Sequence, residues 1–304
     1  MRVLYIHQFY PGENSPGPEQ PRFLVHRLAE RGHDVHVLAC DFNAYNEQDE
    51  DAEQWKLDSG GSVRVDRLKA PRNLRASLKN RLMTYMRFAI TAYRHGRNLQ
   101  PPDVVLATIQ PLFSGYTAYR LSRKWHKPFL MELRDLWPDA LVVKGAVSRF
   151  QASPLESLAR RLYRQADRLV SLTPGIKLEL MKKGIAPNKI DLFPNGYRAT
   201  AFAGSDKLRT EIRREFKWEN KFVVVFAGTH TEVTAVDVMV RAAKLLQDSP
   251  DIELNLFGSG QTKQAAIELA EQLQLNNIRF HHPVAKSRIP AILSGADVVL
   301  MTLF

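Results

Sequence analysis

Lys127-Pro-Phe-Leu-Met-Glu-Leu-Arg-Asp-Leu-Trp-Pro-Asp139 decides how the rest of the chain is read. Its first part, Phe129-Leu130-Met131, is a continuous apolar run of the kind a doubly covered strand requires. Glu132, Arg134 and Asp135 then bring sudden charge, and Trp137-Pro138 stops regular structure, because proline lacks an N–H and restricts the residue before it. Open α/β sheets take their ligands in the crevice outside the carboxyl ends of the strands. The stretch therefore predicts a parallel sheet with a polar site at one edge.

Upstream, Val3 to Ile6 reads as a buried strand, followed by a loop rich in Gly, Pro and Glu through Pro21. Arg22 to Arg31 has a helical stripe of Phe23, Leu24 and Leu28, ended by Gly32, and Val35 to Ala39 is the next strand. Asp41 to Gly61 is acidic and weakly periodic, which predicts a surface excursion, and Val63 to Leu68 is a further strand. Between Asn73 and Asn98, Leu78, Leu82, Met86, Ile90 and Tyr93 fall near helical spacing among Arg72, Arg75, Lys79, Arg81, Arg87, Arg94 and Arg97. Such a basic amphipathic helix either lies on an anionic membrane surface or packs on the sheet with a solvated basic flank. Asp103 to Thr108 (strand) and Phe113 to Trp125 (helix) lead into the central stretch.

Downstream, Ser153-Pro154 opens a helix to Ala166, Asp167 to Leu172 is a strand, and Thr173-Pro174-Gly175 caps another helix. Ile190 to Phe193 ends at Pro194-Asn195-Gly196. Small residues from Ala199 to Ser205 mark a boundary, giving domains of residues 1–198 and 199–304. A second alternation follows: strand Phe222–Phe226, helix Val236–Leu246, strand Ile252–Phe257, helix Lys263–Leu273, and strands at 278–280 and 298–303 around a short helix. Alternating β and α in two blocks predicts an α/β protein of two doubly wound, Rossmann-like domains, the second with too few strands to look finished.

A chain of 304 residues with 44% apolar and 25% charged residues suits two soluble domains. The single Cys40 excludes a disulfide framework and suits a reducing cytoplasm. The longest charge-free run, Val104 to Tyr119, is below spanning length and holds Pro111 and Gly115, so no transmembrane helix is expected. The net charge of +11 points to an anionic partner. Nucleic acid is disfavoured, because the basic residues lack interleaved aromatics on a recognisable module.

Gly258-Ser259-Gly260, after a buried strand and before a helix, is placed either for phosphate approach or as an ordinary tight turn. Lys263 adds a positive charge there, and Gly228-Thr229-His230 occupies the equivalent position one strand earlier. The full dinucleotide fingerprint is absent, and His281-His282 has no partners at metal-ligand spacing. Arg22 either holds an anion at its helix start or is solvated. Asp135 is the leading candidate for proton transfer at a strand end; the competing reading is a structural pair with Arg134 that fixes the loop before Trp137.

On these residues, with Gly32-His33-Asp34-Val35, Pro194-Asn195-Gly196 and Phe257-Gly258-Ser259-Gly260, the chain resembles the family 4 glycosyltransferases. Those are retaining enzymes of the GT-B fold, two facing Rossmann-like domains. Glu132 to Pro138 resembles the bacterial surface-polysaccharide amino-sugar transferases. The resemblance implies a first domain that holds a lipid-linked or oligosaccharide acceptor, with Arg22, Glu132 and Trp137 on that side and Asp135 and Arg134 catalytic. It implies a second domain that binds the nucleotide-sugar through Gly228, Thr229, His230, Gly258, Gly260 and Lys263. No cofactor or metal ion is implied, and the location is cytoplasmic, peripheral on the inner face of the plasma membrane. The family's Arg and Lys after the first strand of the second domain are not matched in Gly228 to Thr234, and its pair of glutamates would fall beyond Phe304. The expectation is thus a C-terminally truncated transferase, with a non-catalytic remnant that binds acceptor or membrane, or a sugar-nucleotide epimerase, as the alternatives.

Overall fold

The computed structural model describes residues 1–13, 15–74, 76–109, 111–139, 148–196, 199–202 and 205–302. Arg75 of the basic stretch, residues 203–204 of the expected boundary and Leu303 of the last expected strand lie outside the described residues. The chain forms two compact units, Met1–Gly196 and Tyr197–Phe304.

The first unit runs β1 (Arg2–Ile6), α1 (Gln20–Glu30), β2 (Asp34–Cys40), β3 (Glu53–Lys56), β4 (Ser62–Leu68), α2 (Leu78–Gly96), β5 (Val104–Thr108) and α3 (Leu112–Trp125). It continues with β6 (Phe129–Leu133), α4 (Arg149–Gln165), β7 (Arg168–Ser171), α5 (Pro174–Lys182) and β8 (Ile190–Leu192). The sheet order is β3-β4-β2-β1-β5-β6-β7-β8. All neighbours are parallel except β3, which pairs antiparallel with β4. Strand order reverses direction between β1 and β5, the switch point where open sheets part their loops and admit ligands.

Alternation along β1 builds two cores, as a period of two demands. Leu4 and Ile6 join Phe88, Ala92, Leu121 and Leu162 from α2, α3 and α4. Val3 and Tyr5 join Val25 and Ala29 of α1 on the other face.

Four local features differ from the sequence reading, each for a physical reason. The acidic excursion contains the edge strand β3, because Glu50 and Glu53 fold back to pair with Arg67, and Glu53 also takes Arg22. In α1 the buried stripe is Pro21, Val25 and Ala29, while Phe23 points outward under the Arg27 guanidinium. In α2 the buried stripe is Thr84, Phe88, Ala89, Ala92 and Gly96, so the Leu78-to-Ile90 stripe read from spacing faces outward. Helix α4 starts at Arg149 rather than Ser153, because Ser148 and Gln151 form a reciprocal capping box and Pro154 is tolerated near the helix start.

The second unit runs α6 (Ser205–Glu215), β9 (Phe222–Ala227), α7 (Val236–Leu245), β10 (Ile252–Phe257), α8 (Lys263–Gln272), β11 (Ile278–His281), α9 (Ile289–Gly295) and β12 (Val298–Val299). Its four strands are parallel in the order β11-β10-β9-β12. Val224 and Phe226 pack on Met239, Val240, Ala266 and Ala270 of α7 and α8. Val223 and Val225 pack on Ile212, Trp218 and Ile292 beside α6 and α9. Asp297 pins this second layer, accepting from Arg213 at 3.1 Å and from the Val223 backbone N–H at 2.7 Å.

Candidate functional site

At the carboxyl edge of the first sheet, around the switch point, lies a pocket of about 310 Å³. Phe9 follows β1, Ala44 follows β2, Pro111 follows β5 and Trp137 follows β6, while Leu74, Arg81 and Tyr85 close it from the start of α2. Tyr85 stands edge-on to both Phe9 and Trp137, with ring centroids 6.1 and 6.3 Å apart. An aromatic wall with one guanidinium suits a ligand that has apolar faces and negative charge.

On the α1 side of the same edge the strands end in buried polar groups. Glu132 is buried and accepts from Tyr5 Oη at 3.0 Å and from Gln20 Nε2 at 2.7 Å. Burial, followed by the Glu132 charge, pushes the Tyr5 hydroxyl well above its usual range. Glu132 thereby ties β6 to β1 and to the first turn of α1.

His7 and Gln8, directly after β1, are buried, and none of their side-chain nitrogens and oxygens has a hydrogen-bond partner among the described residues. The same is true of Tyr10 Oη, Thr108 Oγ1 and Ser114 Oγ. The His7 ring lies edge-on between Tyr5 and Tyr10. Desolvation first, then the Arg134 charge, lowers its pKa to about 3, so it is neutral at physiological pH. Buried polar groups without protein partners are uncommon and call for an explanation. Sequence reasoning passed over His7 and Gln8; the available signal was two polar residues immediately after an apolar strand.

The remaining residues expected in this site fall as follows. Asp135 is exposed beyond the end of β6, and Arg134 is partly buried. Trp137 lines the pocket, and its carbonyl accepts from Tyr163 Oη at 3.3 Å. Arg22 is not solvated: its guanidinium donates to Glu53 at 2.8 Å and to the Pro11 carbonyl at 3.3 Å, between the Tyr10 and Trp55 rings. Arg22 thus clamps the start of α1 to the edge strand.

In the second unit the turns after β9 and β10 are bonded to each other. Gly228 N–H donates to the Phe257 carbonyl at 3.0 Å, His230 N–H to Ser259 at 2.9 Å, and Thr262 N–H to His230 at 3.2 Å. Gly258 has φ +141°, and a Cβ there would sit 1.9 Å from the Gly228 carbonyl oxygen. A Cβ on Gly260, at φ +157°, would sit 2.0 Å from the His230 carbonyl oxygen. Only glycine permits this approach. Thr229 is exposed at the tip of the first turn, and its carbonyl accepts from Thr234 Oγ1 at 2.8 Å.

Lys263 Nζ donates to the carbonyls of Gly258 at 2.8 Å and His281 at 2.6 Å, and burial lowers its pKa. His230 is fully buried, with both ring nitrogens unpartnered among the described residues. Burial, then the Lys263 charge, lowers its pKa to about 4. The turns therefore gather a positive charge, a helix start and a neutral imidazole on two adjacent strand ends.

The glycosyl transferase 4-like domain matches residues 21–196, and the glycosyl transferases group 1 family matches residues 209–303. The chain is 22% identical over 291 residues to WcaI of Escherichia coli (strain K12), a glycosyl transferase assigned to colanic acid biosynthesis, spanning 91% of this chain and 70% of that protein. Among solved structures it resembles HepE of Anabaena in complex with UDP, at 14% identity and a TM-score of 0.68 over 100% of this chain and 74% of that one. It also resembles WaaG, a glycosyltransferase involved in lipopolysaccharide biosynthesis, at 15% identity and a TM-score of 0.66 over 99% of this chain and 75% of that one. A glycosyl transferase 4-like domain over residues 21–196 of 304, a group 1 domain behind it and a two-sheet α/β architecture matched over its whole length make this chain a member of the family 4 glycosyltransferases, with the GT-B fold.

Proposed function

We propose that the protein transfers a sugar from a UDP-sugar to a lipid-linked or oligosaccharide acceptor in the building of a surface polysaccharide. The carrying observation is the carboxyl edge of the first sheet, where an aromatic pocket adjoins buried, unpartnered polar side chains. Sugars present apolar faces to aromatic rings and hydroxyls to polar groups, and this edge offers both. The acceptor belongs there, with Trp137 and Tyr85 against its rings and Arg81 toward its phosphate. HepE in complex with UDP, and WcaI and WaaG in surface-polymer pathways, support the donor and the pathway class.

The acceptor hydroxyl attacks the anomeric carbon, the carbon–oxygen bond to the diphosphate breaks, and UDP leaves with configuration retained. Asp135 takes the hydroxyl proton, and Arg134 supplies positive charge beside it. The turns Gly228–His230 and Gly258–Gly260, with Lys263, hold the diphosphate. An amino-sugar is the transferred group on the likeness of Glu132 to Pro138. A lipid-linked acceptor is met at a membrane surface, and residues 73–98 are the part of the first unit suited to meet one.

Calorimetric titration with UDP and with GDP tests the donor side. Saturable UDP binding that raises the melting temperature is expected. Preference for GDP would replace the uridine donor by a guanosine one, and no binding of either at millimolar nucleotide would overturn the donor site.

A further inference from the structure

Helix α2 has two unlike faces. One is buried on the sheet through Phe88, Ala89, Ala92 and Gly96. On the other, Leu78, Leu82, Met83, Met86 and Ile90 line an outward groove of about 530 Å³, flanked by Lys79 and Arg87. Met83, Met86 and Ile90 remain 44%, 50% and 47% exposed. Residues 78, 82, 86 and 90 recur every fourth position, so the apolar surface is one unbroken strip along the helix.

The charge around this strip is of one sign. From Arg67 to Met131 the sequence has thirteen Lys and Arg residues against a single carboxylate, Asp103. Asp103 accepts from the Arg2 backbone N–H at the amino end of the sheet, away from the crevice edge. Helix α3 extends the basic layer, with Arg120, Arg123 and Lys124 exposed. It is fixed to α2 by Thr117 Oγ1 donating to the Ala89 carbonyl at 3.0 Å and Lys124 Nζ to the Arg97 carbonyl at 2.8 Å. The Arg120 guanidinium stands 5.0 Å over the Tyr93 ring.

One turn away on the same helix, Arg81 and Tyr85 line the crevice pocket. No helix among the described residues is long and apolar enough to cross a membrane. The cores of protein–protein interfaces are depleted of charge, which argues against a protein partner for a strip flanked this closely by Lys79 and Arg87. An apolar strip set in an all-basic layer instead matches the interfacial region of an anionic bilayer, whose acyl boundary takes the strip and whose headgroups take the cations.

We propose that α2 is a membrane seat: the groove from Leu78 to Ile90 inserts into an anionic phospholipid surface, the α2–α3 basic layer holds its headgroups, and the crevice pocket comes to lie beside the bilayer. The inference deepens the acceptor reading above and rests on it only in taking the acceptor to be membrane-borne.

The test is sedimentation of the full chain with vesicles of phosphatidylcholine, alone and mixed with phosphatidylglycerol, without nucleotide. Binding to the mixed vesicles that falls with added salt is expected. The double variant Met83→Glu/Met86→Glu should abolish it, and Arg87→Gln and Arg94→Gln should each weaken it about fivefold. Unchanged thermal melting of the variants shows that the fold is kept. Equal binding to both vesicle types, or binding retained by the double variant, overturns the seat. So does a wild-type dimer in light scattering that the double variant splits, since a second copy would then cover the groove. UDP titration of the same variants separates the readings: lost vesicle binding with UDP binding intact is the result expected of the double variant, whereas lost UDP binding in the wild type removes the donor reading alone.

Discussion

His7, Gln8, Thr108 and Glu132 stand at the ends of β1, β5 and β6 in the first unit, whereas the ends of β9 and β10 in the second carry Gly228 and Gly258. Both edges are the place where a parallel sheet admits a ligand. The first is furnished with side chains, several of them buried without protein partners. The second is furnished with backbone, two turns bonded to each other through Gly228, His230 and Ser259. An edge of side chains can be respecified one residue at a time, and so suits a variable acceptor. An edge of glycine backbone tolerates little change, and so suits an invariant diphosphate.

The most severe test falls on the backbone edge. Gly258→Ala combines a left-handed φ of +141° with a Cβ 1.9 Å from the Gly228 carbonyl oxygen. A loss above about 3 kcal/mol is expected in the second unit, since strain and overlap act together. Hydrogen exchange should show β9 and β10 amides losing protection while those of β1 and β5 keep it. Full protection in the variant would mean that the turns are not locked.

On the side-chain edge, Glu132→Ala leaves Tyr5 Oη and Gln20 Nε2 without their acceptor in a buried place. A cost of about 2–3 kcal/mol is expected in urea unfolding, most of it from the orphaned donors. Glu132→Gln keeps one acceptor oxygen and should cost clearly less. Equal losses in the two variants would shift the cause from hydrogen bonding to charge.

The comparison also shows what the chain reveals in one dimension. The strands with unbroken Val, Ile and Leu runs, such as Phe222 to Phe226, were legible because burial on both faces leaves no polar option. The glycine turns were legible because few other residues follow a strand so closely. Edge strand β3 was not, since Glu53-Gln-Trp-Lys56 is held by cross-chain pairing with Arg22 and Arg67 rather than by its own apolar pattern. The α2 spacing correctly gave a helix, but a stripe does not say whether it faces core or solvent; Phe88 and Ala92 won the core because small neighbours let the helix approach the sheet. His7 and Gln8 escaped notice because burial of a polar pair is a property of the fold, not of the pair.

Acid should act on both edges through their histidines. His7, at about 3, and His230, at about 4, bind a proton less readily folded than unfolded, where the value is near 6.5. The unfolded state therefore takes up more protons below about pH 6.5, and stability falls with falling pH at about 1.4 kcal/mol per unit for each histidine. The loss continues down to the folded values. Asp66 enters only later. Burial works to raise its pKa, but hydrogen bonds from Arg64, His95 and His36 outweigh that and hold it at about 2, so its contribution disappears between about pH 4 and 2. Unfolding measured between pH 7 and 5 should thus report the histidines, and His7→Asn should remove the first unit's share of the slope. An unchanged slope would mean that His7 is not buried in the neutral form.

The smallest stability effect, and the sharpest test of the backbone edge, belongs to Lys263→Met. Methionine keeps the apolar stem but gives up the two hydrogen bonds to Gly258 and His281, a loss of about 1 kcal/mol. Burial still holds the His230 pKa below its ordinary value, but the Lys263 charge no longer adds to it, so an NMR titration should find that pKa raised toward 6.5. UDP affinity then decides between two uses of one ammonium. If Lys263 also meets the diphosphate, binding weakens about tenfold or more, as loss of a charge-assisted contact does. If binding is unchanged while the His230 pKa moves, Lys263 serves only to brace the turn, and the glycine backbone and the start of α8 hold the diphosphate by themselves.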